Sequence, residues 1–152
     1  MNKTSNNIWE FQSILSRRLL FWSIISIFGG LILQFPRNRL SNGIGVQFSA
    51  WGLIDAIIAV FGDRTAKQRA AQLPDPLAKE IVDHESHKLY KILLANTGLD
   101  VGYMLGGSAL ALTKGKNDPG WRGHGIGIII QGAFLFIFDL VHMMLIGRKC
   151  RE

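Results

Sequence analysis

Four long apolar windows, roughly residues 19–35, 43–62, 92–113 and 125–147, constrain this chain more than any other feature. Each is close to the ~20 residues that cross ~30 Å of hydrocarbon as a helix. Charges are swept out of them and gather at the N-terminus, in the middle and at the C-terminus. A soluble helix keeps a charged face on every second turn. These windows are apolar all round apart from a few polar residues, so a soluble four-helix bundle is disfavoured. The sequence therefore predicts an all-α protein, a transmembrane four-helix bundle embedded in a lipid bilayer.

The rest of the chain is read around those spans. Residues 1–18 form a cytoplasmic N-terminal segment, faintly amphipathic through Ile8, Phe11 and Leu15, with Trp9 among them, which reads as a short interfacial helix. Residues 19–147 are the transmembrane domain, with a charged cytoplasmic connection at 63–91, and 148–152 are a tail. Within the connection, Asp75 stands as an N-cap with Pro76 at the first helical position, opening a helix that runs into the third span.

Seventeen lysines and arginines give a net charge of +6. In a soluble protein that would suggest nucleic acid; here topology is the simpler cause, and nucleic-acid binding has no support. With four spans, twelve of these cations fall beside the termini and the middle connection, and five in the other two loops. The positive-inside rule puts both termini in the cytoplasm, with the second short loop a basic exception. The single cysteine, Cys150, cannot form an internal disulfide and lies where acylation is conceivable, though a bystander thiol is the simpler reading.

The functional interest lies in residues 96–107, N-T-G-L-D-V-G-Y-M-L-G-G. Asn96, Asp100 and Tyr103 share one helical face, while Gly98, Gly102 and Gly106 form a small-residue ridge on the other, suited to close approach of a helix and to a homo-oligomer. Asp55 and Asp139 occupy two further spans, each eight residues after a glutamine, Gln47 and Gln131. At ~1.5 Å per residue, Asp55, Asp100 and Asp139 all fall ~10–14 Å from the cytoplasmic boundary, with His142 slightly nearer it. One ionised carboxylate at mid-helix costs ~2.5–3.5 kcal/mol, and three together add repulsion. Protons, a cation, a cationic ligand or water must therefore compensate them. His142, three residues from Asp139, is a natural ion-pair partner.

Gly29-Gly30 matches Gly106-Gly107, setting Ser23 against Asp100, and Gly43-Ile44-Gly45 matches Gly125-Ile126-Gly127. Two tandem hairpins, parallel about an axis along the membrane normal, are the reading that results. Glu80, His84 and His87 share a helical face and are weak metal candidates, although the spacing is not that of the H-E-x-x-H zinc motif; a solvated face is the bland alternative. No phosphate loop, Cys pair or nucleophile elbow is present, so nothing positive marks an enzyme, and no cofactor is indicated.

W-G-L-I-D at 51–55, G-L-D-V-G-Y-M-L-G-G at 98–107 and Q-G-A-F-L-F-I-F-D-L-V-H at 131–142 resemble a family of small bacterial four-span membrane proteins of unknown function. The resemblance implies a bacterial inner-membrane location and carries no activity. From the residues themselves, the expectation is a membrane protein whose Asp/His layer binds or relays a cation, proton or small cationic ligand. The alternative is a non-enzymatic assembly or accessory subunit in which that layer only fixes helix packing.

Overall fold

In the computed structural model, which describes residues 7–149, the chain forms four long helices: α1 (Ile8–Gln34), α2 (Arg39–Gln72), α3 (Lys79–Leu112) and α4 (Pro119–Lys149). Among the described residues there is no strand. Asn7 caps α1, its side chain accepting from Trp9 N and Glu10 N, and Asn38 caps α2 by accepting from Leu40 N. Pro36, without an N–H, ends α1, whose last turn closes through Phe35 N to Ile32 O. A 3-10 turn, Lys114–Lys116, joins α3 to α4.

Two expected boundaries move. Residues 8–18 are not a separate interfacial helix: α1 is continuous from Ile8, because Ile8 packs with Leu93 and Ile146 and Trp9 Nε1 donates to Pro76 O. That packing draws the segment into the bundle. The helix expected from Pro76 starts at Lys79, since Asp75 Oδ1 accepts from Leu77 N and its carbonyl from Ala78 N, which makes a turn first. The connection 63–91 is itself mostly helix, as α2 runs on to Gln72. Cys150 lies outside the described residues.

Large apolar side chains face outward. Phe21, Phe28, Ile32, Phe61 and Leu105 are each more than 60% exposed, while Ser23, Ser26, Asp55, Asp100 and Gln131 are buried. Water would drive the reverse distribution. Three helices, α1, α2 and α4, are long and apolar enough to cross a membrane, and the two observations together point to a membrane protein.

The hairpins α1–α2 and α3–α4 pack through matching glycines, and α2 meets α4 between them. A methyl on Gly45 would sit 2.5 Å from Gly30 O, and one on Gly125 would sit 2.6 Å from Gly107 O. Likewise Gly52 lies against Ser23 O at 2.9 Å and Gly132 against Asp100 O at 3.3 Å. Across the α2–α4 crossing, Gly43 faces Gly120 O and Gly123 faces Leu40 O. The equivalences Gly30 with Gly107 and Ser23 with Asp100 are 77 residues apart; Gly45 with Gly125, Gly52 with Gly132 and Gly43 with Gly123 are 80 apart. The two hairpins thus make corresponding close contacts, arranged as an approximate two-fold through the α2–α4 crossing would place them.

The register of α1 against α3 is the expected one. That of α2 against α4 is not: Gly45 pairs with Gly125, so the matched Gly-Ile-Gly strings are two residues out of step and the equal Gln-to-Asp spacings are coincidental. The longer α3–α4 connection accounts for the extra three residues.

Candidate functional site: a carboxylate cluster in one half of a pseudo-symmetric bundle

Asp55 on α2, Asp100 on α3 and Asp139 on α4 are 2%, 3% and 7% exposed. They converge: Asp55 lies within electrostatic reach of Asp100, and Asp139 within reach of both. Asn96, one turn before Asp100, turns its amide to Asp139 as a hydrogen-bond partner. Asp55 Oδ2 and Asp100 Oδ2 are buried with no hydrogen-bond partner among the described residues. Each is costly, because a buried carboxylate oxygen without a partner carries its full desolvation penalty.

The two-fold shows how unusual this half is. Asn96, Asp139 and Asp55 stand at the positions equivalent to Leu19, Ala59 and Leu135. Those three residues form a buried apolar cluster, flanked by Leu20, Trp51, Phe134 and Phe138. One scaffold therefore carries the same trio of positions twice. One trio is hydrocarbon, and the other is an amide and two carboxyls with Asp100 beside them.

The remaining sequence-predicted residues lie elsewhere. Gln131, fully buried, accepts from Trp22 Nε1 at 3.1 Å and donates to Ser26 Oγ at 3.1 Å, which closes the α1–α4 seam with all of its polar atoms engaged. Trp22 stacks on Phe134 at 3.6 Å in the same seam. The equivalent place in the α2–α3 seam holds Trp51 edge-on to Tyr103 at 4.7 Å, with Tyr103 38% exposed. Gln47 donates to His124 Nδ1 at 3.0 Å, near the α1–α2 loop and eight residues from Asp55, so it does not join the cluster.

His142 is buried but does not pair with Asp139. Its Nδ1–H donates to Phe138 O at 2.6 Å, and its Nε2 accepts from Arg18 Nη1 at 3.2 Å. A backbone carbonyl one turn back claims the proton-bearing nitrogen, which fixes the tautomer and leaves the other for the arginine. Arg18, in the sequence only one of the cations beside the termini, is its partner, and nothing in the sequence signals a contact between positions 124 residues apart.

Glu80, His84 and His87 are all exposed, and His87 Nδ1 is spent on Asp83 O. Among the described residues no three His, Cys, Asp or Glu side chains are placed to hold a metal, Glu80, His84 and His87 included. Their neighbour Glu85 is buried instead and is paired with Arg69. Gly98, Gly102 and Gly106 have open space where a side chain would go, so no helix of this chain packs on that ridge.

A family model matches residues 18–140, which is most of the chain, and its description is a family of unknown function (DUF6992). No curated protein and no solved structure matches the chain.

Proposed function

For this chain, which belongs to that family of unknown function, we propose a four-span membrane protein whose buried carboxyls Asp55, Asp100 and Asp139 share protons or compensate a small cationic ligand, without the three together coordinating a metal ion. The observation that carries the reading is the pair of buried, unpartnered carboxylate oxygens on Asp55 and Asp100, in a half of the bundle whose equivalent half is apolar. If these positions only had to pack, the hydrocarbon trio would serve, as it does on the other side. Three ionised carboxyls in one layer repel each other and have lost their water. A bound cation or shared protons removes both costs, with Asn96 holding Asp139 in place.

The third feature in support concerns α3. Its polar residues Asn96 and Asp100 lower its hydropathy, yet they face the bundle, while Leu94, Leu99, Leu105 and Leu112 on its outer side are exposed. That is the distribution of a span with a polar interior face. The excess of lysine and arginine beside the termini and the 63–91 connection supports a cytoplasmic location for both ends, and the resemblance supports a bacterial inner membrane.

The test is thermal stability of the purified protein in detergent, wild type beside Asp100→Asn, across pH and with a panel of monovalent and divalent cations. A cation- or pH-dependent rise in Tm that disappears in Asp100→Asn is the expected result. Identical responses in both proteins would overturn the reading.

The open ridge of Gly98, Gly102 and Gly106 favours a second reading, a subunit that assembles with copies of itself. In that case Asp100→Asn changes stability without any ligand response, whereas Gly102→Leu dissociates the oligomer in cross-linking or native mass spectrometry.

A further inference from the structure

At the end of the bundle opposite the termini, a pocket of about 430 Å³ opens between the α1–α2 loop and the start of α4. Its lining includes Arg37, Arg39, Asn42, Gly120 and His124, and no carboxylate. Arg37 makes no hydrogen bond or ion pair among the described residues. Arg39 gives one nitrogen to Asp118 at 2.8 Å and keeps its other donors. His124 Nδ1 faces the Gln47 amide, which leaves Nε2 to carry the ring proton. The pocket thus presents N–H donors, those of two guanidinium groups among them.

The charge at this end is unbalanced beyond the pocket. Residues 35–42 and 113–124 hold five lysines and arginines, Arg37, Arg39, Lys114, Lys116 and Arg122, against the single acid Asp118. That acid is already occupied, since it takes Arg39 and the Gly120 N–H at 2.7 Å. A bundle with its termini in the cytoplasm has no topological use for cations on the far side. Phe35, 93% exposed, lines the opening, and Trp121, 45% exposed, packs beside His124; exposed aromatic side chains of this kind suit the level of lipid headgroups.

We propose that this pocket binds a phosphate group through Arg37, Arg39, Asn42 and His124. A planar guanidinium matches phosphate oxygens in a two-pronged contact, and the pocket has room for what the phosphate is attached to. The phosphate belongs either to an anionic phospholipid headgroup or to a free phosphate compound. The site is independent of the carboxylate cluster, which lies on the other side of Gln47 along α2, so either proposal stands or falls alone.

Purified protein in phosphate-free detergent, at constant ionic strength, is titrated with inorganic phosphate and followed by thermal stability. In parallel it is reconstituted in zwitterionic nanodiscs with rising phosphatidylglycerol. Arg37→Gln is compared with Lys116→Gln, an equal loss of charge outside the pocket. Saturable stabilisation that is weakened about tenfold by Arg37→Gln and unchanged by Lys116→Gln supports the site, a factor that corresponds to one lost charge-assisted bond. A response to phosphatidylglycerol alone assigns it to a headgroup, and one to inorganic phosphate assigns it to a free compound. Equal weakening by both variants, or no saturable response to either titrant, overturns it. Arg37 is exposed and unpaired, so its replacement leaves the fold intact; retained near-wild-type Tm without titrant checks that.

Discussion

Asp55, Asp139 and Asn96 can be exchanged for the residues that the other hairpin carries at the same places. The variant Asp55→Leu/Asp139→Ala/Asn96→Leu rebuilds the Leu135–Ala59–Leu19 cluster at the two-fold-related place. Buried polar networks replaced by well-packed apolar groups are often more stable, by about 1–4 kcal/mol. The variant is expected to melt higher than wild type at neutral pH and to lose any cation response; a lower Tm would mean that the carboxyls are structural. Asp118 gives the opposite kind of test. The Gly120 N–H and then Arg39 hold its carboxyl below the ordinary 3.8. The contribution of this cap is therefore complete above that value and fades as pH falls through the lower folded-state value. Asp118→Ala is expected to cost a small amount of stability at pH 6, measured by thermal melts, with the difference from wild type closing as the pH falls through that lowered value. At this scale the grouping of the three acids was legible. Counting residues from the ends of the spans put the three acids at one depth, and depth is a property of each helix alone. Which acid meets Asn96, and that His142 meets Arg18, depends on how helices rotate against one another, which a single sequence does not record.

Between helices, glycine decides where backbones touch and where they do not. Gly123 lies against Leu40 O at the α2–α4 crossing, and a side chain there has no room. Gly98 and Gly102 have nothing within 4 Å of an added Cβ. Gly123→Ala is expected to destabilise by about 1–3 kcal/mol, the usual cost of overpacking against an atom that cannot move. Gly98→Ala should leave the melting temperature of the monomer unchanged or raise it, since alanine gains up to ~1 kcal/mol of helix propensity. Both are read as Tm in detergent, and a large loss in Gly98→Ala would show that the ridge is packed. The sequence marked all of these glycines alike. It separated the α1–α3 register correctly because Gly29-Gly30 and Gly106-Gly107 fall at corresponding places. It misplaced α4 against α2 because Gly-Ile-Gly recurs by chance in apolar helices, and an error of two residues there turns one face into another.

For the whole molecule, the two ends of the bundle are fastened differently. Near the termini, α2 and α3 are tied by Arg69 and the buried Glu85, and Ile8, Leu93 and Ile146 bring α1, α3 and α4 together. Glu85→Gln is expected to cost about 1–3 kcal/mol, less than the 3–5 of a fully buried pair because the Arg69 side chain remains 35% exposed. Equilibrium unfolding in a mixed-detergent titration would read it, and an unchanged midpoint would show that the pair adds nothing. The membrane character was legible from the windows, and the outward-facing Phe21, Ile32 and Leu105 agree with it. The extension of α1 down to Ile8 was not, since its weak amphipathicity fits an interfacial helix as well as a buried one until Leu93 and Ile146 are seen beside it.

A repeat with one acid half and one apolar half also fixes a number. Had both hairpins kept carboxyls at these positions, each chain would offer two equivalent places for a cation, and loading would proceed in two coupled steps. With Leu19, Ala59 and Leu135 filling the second place, the proposed site occurs once per chain. A calorimetric titration should accordingly saturate at a single equivalent, whatever the size of the assembly in which the chains sit.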